Sequence, residues 1–513
     1  MRFPNRRAFL KSSALAAGVL VTGGSPLRAQ NTGVKAVDST SRLNVAVCGV
    51  NGRGQAHIQS LKNSGRATIT HIIDVDEQVG KKRCDQIEQW QGTRPEFLVD
   101  YRDALALDEL DAVTFATPNH LHALQATEAL LAGKHVYVEK PVSHNVWEGR
   151  QIVNAADKTG LMCQAGTQSR SSQSLQDAVA MVRDGAVGEI QYAVGTCYKP
   201  RWSIGKSTQP LQMPDDFDYD KWLGPAAEQT LYRPEQSSVG GRNPHYDWHW
   251  DWNTGNGDMG NQGIHQMDIS RWFLGQMELS PGVRSIGGRV GYDDAGDTPN
   301  TQTVIHRYPA PLVFETRGLP RPKAETERGK WNSGAMDDYR GSKIGVIVQG
   351  SDGHVVIPSY TEARFYDAGG NQTEKLSVPG GGEANDRHFN NWLDAIAADD
   401  RSLLNGDILE GHLSSALCHT GGISHQIGDP ATDTEIREAI AGDNELLVDS
   451  YDRMAEHLAR NEVDLSRPTL TLGKDLTMDP EAERFTGEHA DEANDLLKRD
   501  YREGFAVPEV AAS

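Results

Sequence analysis

The 513-residue chain has little of several things. Its five cysteines, Cys48, Cys84, Cys163, Cys197 and Cys418, are widely spaced and form no C-x-x-C pair, which excludes a dense disulfide framework and the usual zinc-binding spacings. Cys48 lies in an apolar run and reads as a small buried residue. Positive charge is scarce, with 51 Lys and Arg against 71 Asp and Glu and a net charge of −20. That balance argues against nucleic acid, whose phosphates require a basic footprint, and leaves neutral ligands such as sugars open. No segment is long and apolar enough to span a bilayer. The apolar run at 14–21 is broken by Gly18 and closes at Thr22, Gly23 and Gly24. No internal repeat is visible.

That short run follows an arginine pair, Arg6-Arg7, in "NRRAFLKSS" (5–13). The arrangement matches an export address of the twin-arginine kind, read by a translocon that moves folded proteins. Residues 1–29 are therefore expected to be a signal peptide cleaved after Ala29, with a polar linker over 30–41. Losing its five basic residues takes the net charge from −20 to −25. The expected product is soluble and periplasmic or otherwise exported.

Beyond the linker, short apolar runs at 43–49, 69–74, 112–117, 135–139 and 161–166 read as buried strands, alternating with helical patterns such as 121–134. Strand–helix alternation predicts a parallel sheet with helices on both faces. From about residue 165 longer β-type segments take over (189–199, 283–292, 301–308, 311–318 and 344–353), predicting a second domain with a large, mostly antiparallel sheet. Residues 203–216, 235–246 and 319–342 read as long loops, and helices return at 385–397 and 407–426. The expected fold is α/β, with a first domain over 42–164, a second over 165–426 and an acidic extension over 427–513.

The first strand runs into "GVNGRGQAH" (49–57). Gly49, Gly52 and Gly54 permit close backbone approach, and a helix starting near Arg53 offers free N–H groups to a pyrophosphate. Asp74, closing the next strand, accepts ribose hydroxyls. Asn51 replaces the usual middle glycine, and asparagine tolerates positive φ. Asp74 would repel a 2′-phosphate, which favours NAD over NADP. At the end of another strand stand Glu139, Lys140 and Pro141, where open parallel sheets bind ligands. A lysine there can orient a hydroxyl or move its proton, and Pro141 permits a cis bond.

Together "VAVCGVNGRGQAHIQSL", "DAVTFATPNHLHALQATEALLAGKHVYVEKP" and "HFNNWLDAI…EGHLSSALCHTGGIS" resemble the Gfo/Idh/MocA oxidoreductases over most of 43–426. The resemblance implies an N-terminal Rossmann domain, a C-terminal α/β domain with an open sheet, and homo-oligomers. It implies NAD(P)-dependent redox chemistry on hydroxyls of sugars, inositols and related compounds. It makes Lys140 the active-site lysine and places Thr117, Asn119, His122, Glu139 and Gln168 around the nicotinamide half. In "GNGDMGNQGIHQMDISRWFLG" (255–275), Asn261 and His265 are four apart and share a helical face. His265 matches the family's relay histidine, and Asn261 stands where its aspartate would be. An amide cannot accept a proton, so His265 is the acid/base of a catalytic set of Lys140, His265 and Asn261. Asp258 is expected at the substrate.

"HYDWHWDW" (245–252) alternates His or Asp with aromatics, predicting an extended segment whose Trp248 and Trp250 stack on a sugar ring; no third cluster supports a metal there. The expected activity is oxidation or reduction of a secondary hydroxyl of a carbohydrate or cyclitol. The alternatives are an NAD-dependent glycoside hydrolase working by oxidation, elimination, hydration and reduction, and a non-catalytic sugar or nucleotide binder. Dinucleotide is scarce outside the cytoplasm, so an exported protein of this kind must load its cofactor beforehand and recycle it in place.

Overall fold

The computed structural model describes residues 42–321, 333–378 and 380–512. The arginine pair and the predicted signal peptide and linker lie outside the described residues.

Six parallel strands form the first sheet: β1 (Leu43–Cys48), β2 (Ala67–Ile73), β3 (Glu96–Leu98), β4 (Ala112–Phe115), β5 (His135–Val138) and β6 (Cys163–Ala165), in the order β3-β2-β1-β4-β5-β6. The connecting helices are α1 (Gly54–Ser64), α2 (Glu77–Gln91), α3 (Tyr101–Leu105), α4 (Asn119–Leu131) and α5 (Val146–Thr159). β1, β4 and β5 are almost wholly buried, as strands covered on both faces must be. The strand order reverses between β1 and β4, so the ends of β1, β4 and β5 open into the crevice where such sheets take ligands.

The second sheet comprises β7 (Ile190–Tyr198), β8 (Gly282–Gly288), β9 (Thr301–His306), β10 (Leu312–Arg317), β11 (Ile344–Gly350), β12 (Gly353–Ser359), β13 (Glu362–Asp367), β14 (Gln372–Ser377), β15 (Asp429–Ala431), β16 (Leu470–Leu472), β17 (Leu476–Asp479) and β18 (Arg484–Thr486). The main path runs β14-β13-β12-β11-β7-β10-β9-β8-β16-β15, with β17 pairing β8 and β18 beside it, and β7 and β10 form the parallel pair in an otherwise antiparallel sheet. Its helices are α6 (Gln173–Arg183), α7 (Tyr219–Leu223), α8 (Ile264–Leu274), α9 (Gly381–Ala398), α10 (Ile408–Gln426), α11 (Asp433–Ile440) and α12 (Glu445–Arg460).

Two segments cross the sequence boundaries. α9 returns to the first sheet, where Phe389, Trp392 and Leu393 join the core of β1 and β2, and Phe389 stacks on Tyr137 at 4.2 Å. The acidic extension is folded: α12 lays Leu447, Tyr451, Met454 and Leu458 on Ile286, Ile305 and Val313 of the second sheet, and β16 pairs with β8. Val507 and Val510 end in the core of the first. The extension's charge sits on the outer faces of amphipathic elements, which hides their helical spacing in a composition count.

Buried histidines bridge the halves. His120 faces the Thr254 and Trp222 carbonyls at 3.1 and 2.9 Å, and His388 faces Ser171 Oγ and the Ala165 carbonyl at 2.6 and 2.8 Å. Burial lowers His120 to about 3, and His122 and His388 to about 4. Their contribution is complete above the unfolded value near 6.5 and is lost as pH falls toward 4, because the unfolded chain binds the extra protons first. Each buried ring should cost up to about 1.4 kcal/mol per pH unit in that window. Melting curves from pH 7 to pH 4 should show a steep fall in Tm; a flat profile would contradict neutral burial of these rings.

Candidate functional site

The turn after β1 takes its reversal at Gly49, where φ is +80°. A Cβ there would stand 2.8 Å from the Ala116 carbonyl carbon and the Thr117 nitrogen, and one on Gly54 would stand 2.1 Å from the Gly49 oxygen. Both positions require glycine; Gly52 has open space around it. Asn51 does not adopt the expected positive φ, because Gly49 alone carries the left-handed step of this turn. Among the described residues no side chain caps α1, which begins one residue after Arg53. Its first N–H groups and dipole suit an anion.

Asp74 closes the crevice beyond β2. Its Oδ2 accepts from Val50 N at 2.8 Å and its Oδ1 from Asp76 N at 3.0 Å. Burial raises this carboxyl, with the two backbone bonds opposing. Each oxygen keeps a lone pair for a ribose hydroxyl. The turn, the uncapped helix and the buried acceptor together fit a dinucleotide.

A cavity of about 360 Å³ runs from this turn and Asp74 to Lys140 and Asn261. Part of its wall comes from far along the chain: Lys221, Trp222, His245, Tyr246, Trp248, His249 and Phe505. Backbone bonds hold this strap to the first sheet, from Asp218 N to the Val75 oxygen at 2.9 Å and from Glu77 N to the Asp216 oxygen at 3.0 Å. Arg242 Nη2 and His245 Nε2 meet Asp76 Oδ2 at 2.7 and 3.0 Å. Burial would raise the Asp76 carboxyl, but His245, the Val79 amide and Arg242 outweigh it and hold it low. Phe505 sits between the guanidinium groups of Arg102 and Arg502, 5.6 and 5.1 Å from its ring centre. Arg102 also donates to the Gly504 oxygen at 3.1 Å, and Arg502 pairs with Asp220.

Beyond β5, Glu139 is buried against Arg53 Nε at 2.6 Å, His57 Nε2 at 3.2 Å and Gln168 Nε2 at 3.1 Å. Its burial favours the neutral acid, yet Arg53 and His57 prevail and hold the carboxyl well below the usual range. The Lys140–Pro141 bond is cis. Lys140 is half-buried; burial, with Arg53 nearby, lowers it to about 8 despite the opposing charge of Glu139.

Lys140 Nζ donates to the main-chain oxygen of Asn261, not to its side chain. Residues Met259–Gly263 form a π-turn before α8, so the simple four-residue spacing of Asn261 and His265 on an α-helix does not hold. His265 lies outside the cavity wall, with Nδ1 buried and without a hydrogen-bond partner among the described residues and its ring 4.9 Å from Tyr360. Burial first, then Lys140, pushes it well below its ordinary value.

Of the other expected residues, Thr117 and His122 line the cavity, and both His122 nitrogens face carbonyls, of Pro141 at 2.7 Å and Thr117 at 2.8 Å. Asn119 and Gln168 do not line the cavity; Asn119 Nδ2 bonds Asn256 Oδ1 at 2.5 Å. Asp258 does not reach the cavity: it is buried against Arg201, whose Nε lies 2.7 Å away, and accepts from Thr316 Oγ1 at 3.2 Å. Trp250 is buried beneath the same guanidinium at 5.1 Å. Residues 245–252 are not extended. Asp247–Trp250 form a 3₁₀ turn because Asp247 is drawn inward by Ser238 and Asp251 by Arg233. Trp248 does line the cavity, its ring flat on His249. His245, Tyr246 and His249 sit in the motif already noted for its tryptophans; Phe505 gave no sequence signal. Among the described residues, no group of three or more His, Cys, Asp or Glu side chains gathers as a metal site, and no helix is long and apolar enough to cross a membrane.

Comparison with known proteins agrees with this geometry. Residues 43–167 match the oxidoreductase family model of the NAD-binding Rossmann fold, and 180–310 match the family's C-terminal α/β domain. A glycosyl hydrolase family 109 protein of Shewanella baltica is 27% identical over 217 residues, 39% of this chain and 47% of that protein. A 4-carboxy-2-hydroxymuconate-6-semialdehyde dehydrogenase of a Sphingobium species is 29% identical over 174 residues, 34% and 53% respectively. The chain thus spans about half the length of the curated relatives it matches. The solved structure of levoglucosan dehydrogenase with NADH and levoglucosan shares the fold, with a TM-score of 0.55 at 17% identity over 74% of this chain and 97% of that one. Through its glycine turn, its two sheets and these matches, the chain belongs to the Gfo/Idh/MocA oxidoreductase family.

Proposed function

We propose that the protein is an NAD-dependent oxidoreductase acting on a secondary hydroxyl of a carbohydrate or cyclitol, with its cofactor held through the catalytic cycle. The observation that carries this reading is the continuous cavity from Asp74 to Lys140, walled by the strap and Phe505. The turn at 49–54 and the start of α1 would hold the pyrophosphate, Asp74 the adenosine ribose, and Thr117, His122 and Glu139 the nicotinamide half. Bound there, NAD supplies a hydride acceptor. Lys140 takes the hydroxyl proton onto Nζ, a transfer suited to an amine lowered to about 8. The Trp248 face gives the apolar side of a sugar ring something to stack on. For an exported chain, the twin-arginine route delivers a folded, loaded protein.

Undialysed protein should carry NAD by mass spectrometry, and adding carbohydrates or cyclitols without free NAD should raise absorbance at 340 nm by one equivalent of bound NADH. Arg242→Ala, which leaves the Asp76 carboxylate to His245 on the strap side, should speed NAD release by up to about fivefold. Wild-type protein that loses its NAD on dialysis would defeat the retained-cofactor reading. A second reading, glycoside hydrolysis without net redox change, draws support from the name carried by the Shewanella baltica relative. Aglycone release from aryl glycosides without added NAD, with no lasting NADH, would favour it.

A further inference from the structure

The cavity wall beside Lys140 contains an acceptor that no other part of the described protein uses. His249 lies on the 3₁₀ turn Asp247–Trp250, with Nδ1 2.6 Å from the Tyr246 carbonyl oxygen. A carbonyl only accepts, so Nδ1 carries the hydrogen and Nε2 of the neutral ring is an acceptor. Burial, joined by Lys140, Arg201 and Lys199, lowers the ring to about 3 and keeps it neutral. Among the described residues Nε2 has no hydrogen-bond partner, and it is not among the polar atoms sealed from solvent.

The ring's setting restricts what can meet it. It lies against Trp248 with centroids 3.7 Å apart and planes 19° apart. Trp248 spends its own N–H on the His245 carbonyl at 3.3 Å. The pair therefore offers a flat apolar surface with one acceptor at its edge, whereas Lys140 nearby donates to Asn261. A saturated ring with a C–H face and hydroxyls around its rim complements this surface; a keto acid or a planar aldehyde brings no donor to Nε2.

We infer that His249 Nε2 accepts a hydrogen bond from a second hydroxyl of the substrate, distinct from the one Lys140 deprotonates, so that the site selects polyhydroxylated rings with that hydroxyl free. This rests on the oxidoreductase reading of the same site.

The test uses NAD-loaded full-length protein with myo-inositol, methyl α-glucopyranoside, levoglucosan and their mono-O-methyl derivatives. In the wild type, methylating one hydroxyl other than the oxidised one should lower kcat/KM for reduction of bound NAD by about tenfold, the cost of an unmet acceptor. His249→Phe should lose about the same factor on the parent compound and no longer distinguish parent from derivative, with NAD content unchanged. His249→Gln, which keeps an acceptor oxygen, should restore part of the discrimination. Variants that discriminate as the wild type does, or His249→Phe protein that simply loses NAD, would overturn the assignment. In parallel, sugar binding to NADH-loaded protein is followed by cofactor fluorescence. Binding that depends on His249 without any reduction of bound NAD would uphold His249 and overturn the oxidoreductase reading. No binding by any of these compounds would overturn both.

Discussion

Lys140→Ala should lower the rate of bound-NAD reduction by about 10²–10⁴-fold, the range expected when a positioned acid–base group is removed, while NAD content and Tm stay near wild type. The expectation rests on position. Lys140 stands two residues beyond the end of β5, lines the cavity and anchors on the Asn261 main-chain oxygen, so its removal subtracts an amine without opening the core. Its lowered value adds a pH signature. Oxidation needs the neutral amine, so the wild-type rate should rise with pH and level off above about 8, and that limb should vanish in the alanine variant. Lys140→Arg keeps a charge that cannot be shed at working pH and should be nearly as slow. Stopped-flow absorbance at 340 nm on loaded protein reads all three; full turnover by Lys140→Ala would remove the lysine from the chemistry.

Much of this site was legible from short-range pattern. The valine-rich run before Gly49, the spacing to Asp74 and the Glu139-Lys140-Pro141 triplet are local features, and of these residues Gly49, Asp74, Glu139 and Lys140 line the cavity. Misreadings arose where geometry depends on distant partners. The pairing of Asn261 and His265 assumed an unbroken α-helix, whereas the π-turn Met259–Gly263 brings a main-chain oxygen to the lysine. The alternation at 245–252 looked extended only because Ser238 and Arg233, which pull its aspartates inward, are not recognisable as their partners in sequence. Phe505 was out of reach. Its place depends on Val507 and Val510 entering the first sheet's core and on Arg502 meeting Asp220, in a tail whose composition reads as polar.

Arg201→Ala should cost about 3–5 kcal/mol of stability, because it strands a buried carboxylate. Asp258 is 2% exposed and Arg201 5%, and without the guanidinium the carboxylate keeps Thr316 Oγ1 at 3.2 Å as its side-chain donor. Trp250 would also lose the cation lying 5.1 Å above its ring, and Tyr246, on the cavity wall, would lose the Arg201 Nη1 contact at 3.4 Å. Replacing both partners tests the cause: Arg201→Met with Asp258→Leu removes both charges at similar volume and should recover most of the loss. Urea unfolding measures the stability, and kcat/KM on the same samples separates structure from recognition. If Asp258 met substrate, Asp258→Asn would raise KM at constant stability. If it serves the ion pair, the same variant should lower the unfolding midpoint and leave KM close to wild type.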